Sequence, residues 1–519
     1  MPLKLLILIV AMLMCWKVES ARILAVVPTP SISHQVVFRP VTQELARRGH
    51  QVTVITTDPA FPKGQTPDNL TEIDLHDLSY GLWSRMFLNI TPTISKVGAY
   101  EMMKSAYESF NVIFENQMNS DEVQKILNDR RKVFDLLIVE ACVRPALVLS
   151  YKYKVPLILF SSFGTVHGSL EAVTGPFHAF LNPGQMQRRV HKLTTWEKIK
   201  EIWVQYKFQR VLKELEEPET EMGRKLFGPE VPHITELMNN VDLLFLNVHA
   251  SWDNNRSVPP SLIYLGGLPQ KPGKELPKTL KSYMDSSRKG IIYISFGTNV
   301  LTSLLPKDKV NVLFRAISVL PHNVILKWDA DKMPGLPENV LMGKWFPQSD
   351  LLKHRNVKLF ITQGGLQSTD ESITAGVPLI GIPMIGDQWY NVEQYVKFGI
   401  GVGLDLESLT KADLLEAIHK VIGDESYRQN IACLRRQMYD QPQSSLERAV
   451  WWTEYVLRHG GAKHLRSPAA NMSLTQYLEL DLLSLLLLLV CIILFVIGLT
   501  VYNIGNFLRI TQKNKIKRY

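Results

Sequence analysis

The sequence predicts an α/β protein with two Rossmann-like, doubly wound domains that face a cleft, followed by one C-terminal transmembrane helix. Short β-rich segments alternate with helical patterns from Arg22 to His459, which is typical of parallel sheets. A Gly/Pro-rich stretch at residues 266–286 divides this alternation into two sets. A chain of 519 residues is too long for one ordinary core, and 46% hydrophobic with 21% charged residues excludes a mainly disordered protein.

The first 20 residues have the features of a secretory signal peptide. Lys4 precedes an apolar run that reaches Met14, and Ser20 and Ala21 supply small residues for cleavage. An apolar first strand is the alternative, but the first β-rich segment begins only at Arg22. Residues 1–20 are therefore predicted to be a signal peptide.

Residues 21–268 carry the first alternating set and are predicted to be the N-terminal domain. Its predicted strands are Arg22–Val27, Gln51–Thr56, Asp135–Glu140 and Val155–Phe160. Its predicted helices are His34–Arg48 and Ala146–Tyr153. In the first helix an apolar stripe is closed by Gly49, a residue that favours a helix end.

Residues 269–286 are predicted to be a linker, and residues 287–443 the C-terminal domain. The strands of this domain are predicted in the segment that begins at Gly290 and then at Asn323–Trp328, Val340–Trp345, Val357–Thr362, Val377–Pro383 and Ile400–Asp405. Residues 444–481 are predicted to be a helix and stem that cross back over both domains, because Ser444–His459 is amphipathic.

The net charge of +9 is concentrated at the C-terminus. The tail, residues 503–519, carries +5 without an acid, and the first 20 residues carry +1, which leaves +3 for the rest of the chain. This distribution argues against a nucleic-acid partner. Residues 482–502 are 21 residues without a charge, long enough at about 1.5 Å per residue to cross a bilayer.

The basic tail beside this span predicts its orientation. Because positive charge stays cytosolic, the body should be luminal and the tail cytosolic, as in a single-pass type I protein in contact with membrane lipid. Lys515 and Lys517 stand fifth and third from the end, as in the di-lysine retrieval signal of the endoplasmic reticulum. The alternative is that these lysines only add positive charge on the cytosolic side.

Four sequons are candidates for N-glycosylation, which would fit a luminal body: Asn69, Asn89, Asn255 and Asn471. Of the four cysteines, only Cys142 and Cys433 lie outside the predicted signal peptide and span. This number excludes a disulfide scaffold, and the sequence lacks zinc-ligand spacing, so no metal is expected.

Polar and glycine-rich loops follow several predicted strands, where ligands bind in doubly wound sheets. His34 follows the first strand, and Glu140 ends another strand of the same domain. The segments Ser295–Asn299 and Gln363–Ser368 follow strands of the second domain and contain glycine. Neither segment matches G-x-G-x-x-G or a Walker A motif, which argues against NAD and ATP.

The segment 345–388, WFPQSDLLKHRNVKLFITQGGLQSTDESITAGVPLIGIPMIGDQ, resembles the signature of the UDP-glycosyltransferase family, the UDP-glucuronosyl and UDP-glucosyltransferases. The form TQGGLQS is similar to that of membrane-bound arthropod members. The resemblance covers essentially the whole chain and implies a GT-B-like fold. It also implies transfer of a hexose from a UDP-sugar, without another cofactor.

The resemblance implies a donor site in which Trp345 stacks on uracil, Gln348 binds its edge, and Glu371 accepts hydrogen bonds from ribose. Asp387 and Gln388 would bind the sugar hydroxyls, although Asp387 could instead be a helix N-cap. Gln363 stands where most members have histidine, and its amide cannot become cationic. The positions implied to lie against the diphosphate are Gly297, Thr298, Gln363, Gly364, Gly365 and Ser368.

The resemblance also implies that His34 is the catalytic base, since imidazole titrates near neutral pH. Glu140 matches the position where the family commonly has aspartate, so the residue that orients His34 is one methylene longer here.

The predicted reaction is inverting transfer of a hexose, most simply glucose, to a hydroxyl of a small lipophilic acceptor, as in detoxification. A catalytically silent membrane-bound carrier of lipophilic ligands is the alternative, and acceptor-dependent turnover of the UDP-sugar distinguishes the two. Residues 78–114 and 160–180 are rich in Leu, Met and aromatic residues, as an acceptor pocket would be. The sequence leaves the acceptor and a homo-oligomeric state open.

Overall fold

The structure is a computed structural model, and it describes residues 20–90, 99–129, 131, 133–166, 168–180, 183–269, 273–300, 302–330 and 335–516. The predicted signal peptide therefore lies outside the described residues, apart from Ser20. Lys517 and the side chains of Asn89 and Lys515 are outside them as well. Two parallel sheets form two Rossmann-like domains, which confirms the predicted fold class.

The N-terminal domain is built on a seven-stranded sheet in the order β3-β2-β1-β4-β5-β6-β7, in which every pair is parallel. The reversal of strand order between β1 and β4 opens a crevice at their carboxyl ends. The strands are β1 (Arg22–Val27), β2 (Gln51–Thr56), β3 (Leu70–Asp74), β4 (Leu136–Glu140), β5 (Leu157–Ser161), β6 (Val241–Leu246) and β7 (Leu262–Tyr264).

The C-terminal domain is built on a six-stranded parallel sheet in the order β10-β9-β8-β11-β12-β13. Its order also reverses, between β8 and β11. The strands are β8 (Ile291–Ser295), β9 (Asn323–Lys327), β10 (Val340–Gly343), β11 (Val357–Thr362), β12 (Leu379–Gly381) and β13 (Gly401–Gly403).

Helices cover both sheets, and their apolar faces complete the cores. In the N-terminal domain they are α1 (Ile32–Arg47), α2 (His76–Ile90), α3 (Ala99–Met118), α4 (Asp121–Leu127), α5 (Val148–Tyr153), α6 (Thr195–Phe227) and α7 (Ile234–Leu237). Between the domains and in the C-terminal domain they are α8 (Lys278–Ser286), α9 (Lys307–Ile317), α10 (Gln348–Leu352), α11 (Leu366–Ala375), α12 (Gln388–Phe398), α13 (Lys411–Gly423) and α14 (Ser426–Tyr439). The C-terminal helices are α15 (Ser445–His459), α16 (Leu474–Tyr477) and α17 (Leu480–Ile516).

The structure adds elements to those predicted. Strands β3, β6 and β7 and the 33-residue helix α6 had no counterpart in the prediction. Strand β6 reads VDLLFL, a leucine-rich run whose periodicity does not distinguish a strand from a buried helix. Helix α8 occupies the last nine residues of the interval predicted as linker.

Helix α15 packs against α1 of the N-terminal domain. Glu454 on α15 accepts a hydrogen bond from Arg48 at 3.2 Å, and Arg448 donates to the carbonyl oxygen of Tyr264 at 3.1 Å. The chain then leads into α17, whose segment Leu480–Asn514 is long and apolar enough to cross a membrane. None of its apolar window is buried against the rest of the chain, so α17 is a candidate membrane anchor.

Candidate active site

A cavity of about 640 Å³ lies between the two domains, at the carboxyl ends of their strands. His34 and Phe163 line it from the N-terminal domain. Trp345, Gln348 and Asp387 line it from the C-terminal domain. The structure thus brings the predicted base and the predicted donor residues, more than 300 positions apart in sequence, into one cavity.

His34 and Glu140 form a close pair at the N-terminal side of the cavity. Nδ1 of His34 lies 2.5 Å from Oε1 of Glu140, whose side chain is 0% exposed. The second carboxylate oxygen accepts a hydrogen bond from the backbone N–H of Thr29 at 3.0 Å. Strand β4 ends at Glu140, and His34 stands in the first turn of α1, so adjacent strands β1 and β4 place the two side chains together. The longer glutamate therefore reaches the imidazole.

Cys142 and Asp387 lie close to this pair. A ring nitrogen of His34, a carboxylate oxygen of Glu140 and Sγ of Cys142 lie within 4.8 Å of one another, a grouping that has the composition of a metal site. Burial raises the pKa of the Cys142 thiol, and the charges of Glu140 and Asp387 raise it further. Burial also raises the pKa of Asp387, to about 6.

Trp345 is 67% exposed and lies on the donor side of the cavity. It follows β10 by two residues, so its ring stands beyond the end of the sheet. Nζ of Lys327, the last residue of β9, lies 4.7 Å from the centre of that ring. The same ammonium donates to the carbonyl oxygen of Gly297 at 2.9 Å. A flat aromatic face and a cation thus flank the loop that carries Gly297 and Thr298, and Thr298 also lines the cavity.

Gln348 links three other residues of the donor side. Its Oε1 accepts a hydrogen bond from the Tyr293 hydroxyl at 3.1 Å. Its Nε2 lies 3.0 Å from Oγ of Ser368 and 2.7 Å from a carboxylate oxygen of Glu371, and donates to both. Burial raises the pKa of Glu371. These contacts hold in place the side chains of Gln348 and Glu371, which were predicted to bind uracil and ribose.

The glycines after β11 allow close packing at the N-terminus of α11. Gly364 has φ of 91°, and a Cβ there would lie 2.8 Å from Val392. The amide of Gln363 fills the space beside Gly297. If Gly297 were replaced by alanine, the new Cβ would lie only 2.1 Å from Nε2 of Gln363. Gly365 is the N-cap of α11, so the free N–H groups of its first turn face the cavity near Ser368.

Asp387 is the residue before α12, but its side chain does not cap that helix. Its carboxylate instead accepts a hydrogen bond from Nδ2 of Asn391 at 2.8 Å. Oδ1 of Asn391 accepts in turn from Nε1 of Trp252, in the N-terminal domain, at 2.9 Å. Oε1 of Gln388 accepts from the backbone N–H groups of Met384 and Ile385. Of the two residues predicted to bind sugar hydroxyls, Asp387 is therefore held by α12 and Gln388 by the loop before that helix.

Two hydrogen bonds cross the cleft beside His34. Oγ of Ser31 donates to Oδ1 of Asn299 at 3.0 Å. The amide of Gln367 donates to the carbonyl oxygen of Ser33. Asn299 follows Gly297 and Thr298 in the loop after β8, whereas Gln367 lies on α11 beside Ser368. Two donor-side segments thus hold the segment that carries the base.

Away from His34, one wall of the N-terminal part of the cavity is lined mainly by apolar side chains. Its lining comes from α2 and α3 and from the loops after β5, within or beside the two segments predicted to form an acceptor pocket. These lining residues are Trp83, Met86, Met103, Tyr107, Phe110, Phe163, Val166 and Met186.

Sequence reasoning did not single out Lys327, Tyr293, Asn299 or Gln367. Lys327 ends β9, one residue before the end of the predicted strand Asn323–Trp328, so the strand-end rule selects its neighbour Trp328 and not Lys327 itself. Tyr293 lies inside β8 and has no such signal. Asn299 and Gln367 lie in loops that the sequence marked for their glycines, but their partners are in the other domain.

Three of the four sequon asparagines are described with their side chains, and each has a positive φ. They are Asn69, Asn255 and Asn471, at 65°, 49° and 61°. Asn69 and Asn255 are exposed, whereas Nδ2 of Asn471 donates to Oδ1 of Asn239 at 2.7 Å. Their glycosylation stays a prediction.

Two parallel Rossmann-like domains around a cleft, with a donor motif on one side and a His–Glu pair on the other, define a glycosyltransferase of the GT-B class. The fold is similar to that of the glycotransferase of kitacinnamycin, with a TM-score of 0.58, 18% identity and coverage of 84% of this chain and 99% of that chain. Residues 22–514 match the family model of UDP-glucuronosyl and UDP-glucosyl transferases, and the chain belongs to this family.

Two relatives illustrate the range of similarity. An ecdysteroid UDP-glucosyltransferase of Lymantria dispar multicapsid nuclear polyhedrosis virus is 38% identical over 491 residues, which cover 92% of this chain and 96% of the viral protein. UDP-glucosyltransferase 2 of Dactylopius coccus is 32% identical over 503 residues, which cover 96% of each chain. The chain is thus a UDP-dependent glycosyltransferase, and the family resemblance seen in the sequence is confirmed.

Proposed function

We propose that this enzyme transfers glucose from UDP-glucose to a hydroxyl group of a small lipophilic acceptor, with inversion at the anomeric carbon. The observation that carries the proposal is the His34–Glu140 pair, which shares one cavity with the donor motif. The names of the two relatives support glucose as the sugar, and the name of the viral relative supports a steroid alcohol as one acceptor to test.

His34 is proposed to be the general base. With its Nδ1–H donated to Glu140, the other ring nitrogen, Nε2, accepts the proton of the acceptor hydroxyl. The oxygen then bonds to the anomeric carbon while the bond to UDP breaks on the opposite face, which inverts the configuration. The Glu140 carboxylate stabilises the imidazolium, and the N–H of Thr29 fixes the orientation of that carboxylate.

The donor site is proposed to divide into three parts. Trp345 stacks on uracil while Gln348 and Glu371 bind the uracil edge and ribose. The α11 N-terminus, with Gly364, Gly365, Ser368 and Gln363, holds the diphosphate together with Gly297 and Thr298. Asp387 and Gln388 bind the sugar hydroxyls.

Stabilisation of the leaving UDP is assigned to backbone N–H groups and to the α11 dipole. Because Gln363 is neutral, Lys327 is proposed to supply the positive charge on this side of the cavity. The proposed reaction uses no metal ion.

We propose that α17 anchors the enzyme in the endoplasmic-reticulum membrane, with the body luminal and the tail cytosolic. In sealed microsomes, protease should then remove only the tail. Complete digestion of the body without detergent would contradict this orientation. Replacement of Lys515 and Lys517 should release the protein from the endoplasmic reticulum if they form a retrieval signal.

The reaction is tested with the full chain in microsomes, UDP-glucose, UDP-glucuronic acid and UDP-galactose, and two acceptors, a steroid alcohol and a phenol. We expect acceptor-dependent release of UDP, preference for UDP-glucose, and a β-glucoside product by NMR. His34→Ala is the matched control for transfer by other microsomal enzymes. Acceptor binding without turnover, or retention of the α configuration, would overturn the proposal.

A further inference from the structure

The first three turns of helix α6 present an apolar face to solvent. Trp196 is 64% and Trp203 57% exposed, and three more apolar side chains on the same face are about half exposed. At 3.6 residues per turn, the five residues lie within about 120° of the helix circumference and extend about 15 Å along the axis. We call them the α6 stripe: Trp196, Ile199, Ile202, Trp203 and Tyr206.

The α6 stripe is not needed for the core of the domain. The opposite face of α6 supplies the buried residues Phe208, Val211, Leu212 and Leu215. The helix therefore packs on the domain with one face and leaves the other uncovered. A contiguous apolar surface of this kind marks a site of association.

The composition of the stripe fits a bilayer interface. Trp and Tyr are the side chains enriched at the headgroup level, where an apolar ring meets water. Lysines border the stripe, with Nζ of Lys200 5.8 Å from the Trp196 ring and Nζ of Lys207 5.9 Å from the Trp203 ring. Lysine stems lie along apolar surface while their ammonium groups reach phosphate headgroups. Aromatic rings bordered by lysines are typical of helices that lie in the membrane surface.

The candidate anchor leaves the body on the same domain as the stripe. Before α17, the N–H groups of Ser467 and Asn471 donate to the carbonyl oxygens of Val173 and Glu171. The segment 168–175 contacts α6. Gly168 lies so close to this helix that a Cβ added to it would be 3.7 Å from the side chain of Leu212. Along α6, the stripe begins about 9 Å from Leu212 and ends about 24 Å from it.

We propose that the α6 stripe is a second membrane contact, which lies at the headgroup level of the bilayer that α17 crosses. Through the face opposite to the stripe, α6 also adjoins the acceptor side of the cavity. Nε2 of Gln187 donates to Glu201 on α6 at 3.1 Å, and the neighbouring Met186 lines the cavity. This arrangement places α6 between the lipid and the acceptor side of the cavity, so acceptors dissolved in the bilayer reach the cavity along α6; that second statement rests on the proposed function.

The membrane contact is tested by tryptophan fluorescence of the full chain in phosphatidylcholine vesicles with and without brominated acyl chains. Helix α17 contains no tryptophan, so the anchor itself contributes nothing to quenching. We expect brominated lipid to quench the wild type, and the double variant Trp196→Phe/Trp203→Phe to lose at least half of this quenching. Trp451→Phe, which removes an exposed tryptophan on α15, is the matched control and should leave the quenching unchanged.

Equal quenching of all three proteins, or none in the wild type, would overturn the proposal. A double variant that changes from oligomer to monomer in detergent, with unaltered quenching, would show a protein interface instead and would also overturn it. Lys200→Glu/Lys207→Glu should lower quenching more in vesicles that contain phosphatidylserine than in neutral vesicles. An equal loss in both would remove the assigned role of the lysines.

Acceptor entry from the bilayer has its own test. For a steroid alcohol supplied in vesicles, the KM of Trp196→Phe/Trp203→Phe should rise a few-fold, with the KM for UDP-glucose and for a water-soluble phenol unchanged. Unchanged KM for the steroid, with quenching lost, would overturn the entry route and leave the membrane contact. Absence of transfer in the wild type would instead contradict the proposed function, which the fluorescence result does not need.

Discussion

On the donor side of the cleft several functional side chains bond to one another within one domain, whereas on the acceptor side the base bonds to a single carboxylate and its segment is held by two bonds to the donor side. Gln348 alone contacts Tyr293, Ser368 and Glu371, while Asp387 is held from α12 and Gln388 from the loop before that helix. His34 and Glu140 are 106 positions apart and bond to each other, and the ring of Phe163 lies 5.7 Å from that of His34. The difference suggests that the donor side tolerates loss of one contact, whereas the acceptor side depends on one pair.

The largest effect in this comparison should come from His34→Ala. We expect transfer to fall by about 10²–10⁴-fold, the usual contribution of a positioned general base. Among the described residues, no other side chain that could serve as the base is hydrogen-bonded to Glu140. The loss should be smaller for acidic phenols, which ionise more readily than alkyl alcohols. UDP affinity should stay close to that of the wild type, since the donor residues lie in the other domain.

Steady-state kinetics with one phenol and one alkyl alcohol measure this effect, and UDP titration supplies the control. Glu140→Gln keeps the shape of the pair and removes its charge, so it should lower the rate less and change the pH–rate profile. Transfer to the alkyl alcohol at the parent rate by His34→Ala would remove the base assignment and the role of Glu140.

The contrast between the two sides also explains what the sequence predicted. Trp345, Gln348 and Asp387 lie within one 44-residue segment, and the resemblance of that segment to the family signature implied that they share a site. The His34–Glu140 pair was inferred by resemblance, and only the parallel pairing of β1 with β4 gives it a physical basis. Lys327, Asn299 and Gln367 could not be assigned, because their partners belong to other loops. The α6 stripe was missed because α6 itself was not predicted.

Trp345→Ala tests the donor side and should have the second-largest effect. Stacking on an aromatic ring contributes about 1–3 kcal/mol per base, so UDP affinity should fall roughly five- to hundredfold. The loss should be the same for UDP and for UDP-glucose, because the ring acts on the base. Calorimetric titration measures both affinities, with Trp451→Ala as control; a loss confined to UDP-glucose would place Trp345 at the sugar.

Asp387 should make stability depend on pH. Its pKa is raised to about 6 in the folded chain, chiefly by burial, so between pH 4 and 6 the folded state binds a proton that the unfolded state does not. Its stabilising contribution is therefore complete below about pH 4 and is lost as pH rises through 6. The free energy of unfolding of the wild type should therefore decline as the pH rises from 4 to 6. Asp387→Asn should reduce this decline by about 1–3 kcal/mol, and water in the cleft, which screens the carboxylate, makes the lower end of this range the expected value.

Thermal unfolding between pH 4 and 7 measures the decline as a change in midpoint. The exposed Asp440→Asn is the matched control, and its midpoint should follow that of the wild type. A decline in Asp387→Asn as steep as in the wild type would show that another group causes it.

The smallest expected effect is at the contact that joins the two sides. Asn299→Ala removes the hydrogen bond to Ser31, three residues before His34, but leaves the bond from Gln367 to Ser33. Because a neutral hydrogen bond contributes about 0.5–1.5 kcal/mol, we expect kcat to fall roughly two- to tenfold. Asn299 does not touch the pair itself, so the pH–rate profile should keep its shape, and KM for UDP-glucose should change little. Asn299→Gln, which keeps the amide, should recover part of the rate.

The double variant Asn299→Ala/Gln367→Ala tests whether the two bonds act together. If both bonds hold the same segment, kcat should fall by more than the product of the two single losses. Simple multiplication of the two losses would mean that the two bonds act independently of each other, and an unchanged kcat in both single variants would mean that the donor side does not position His34.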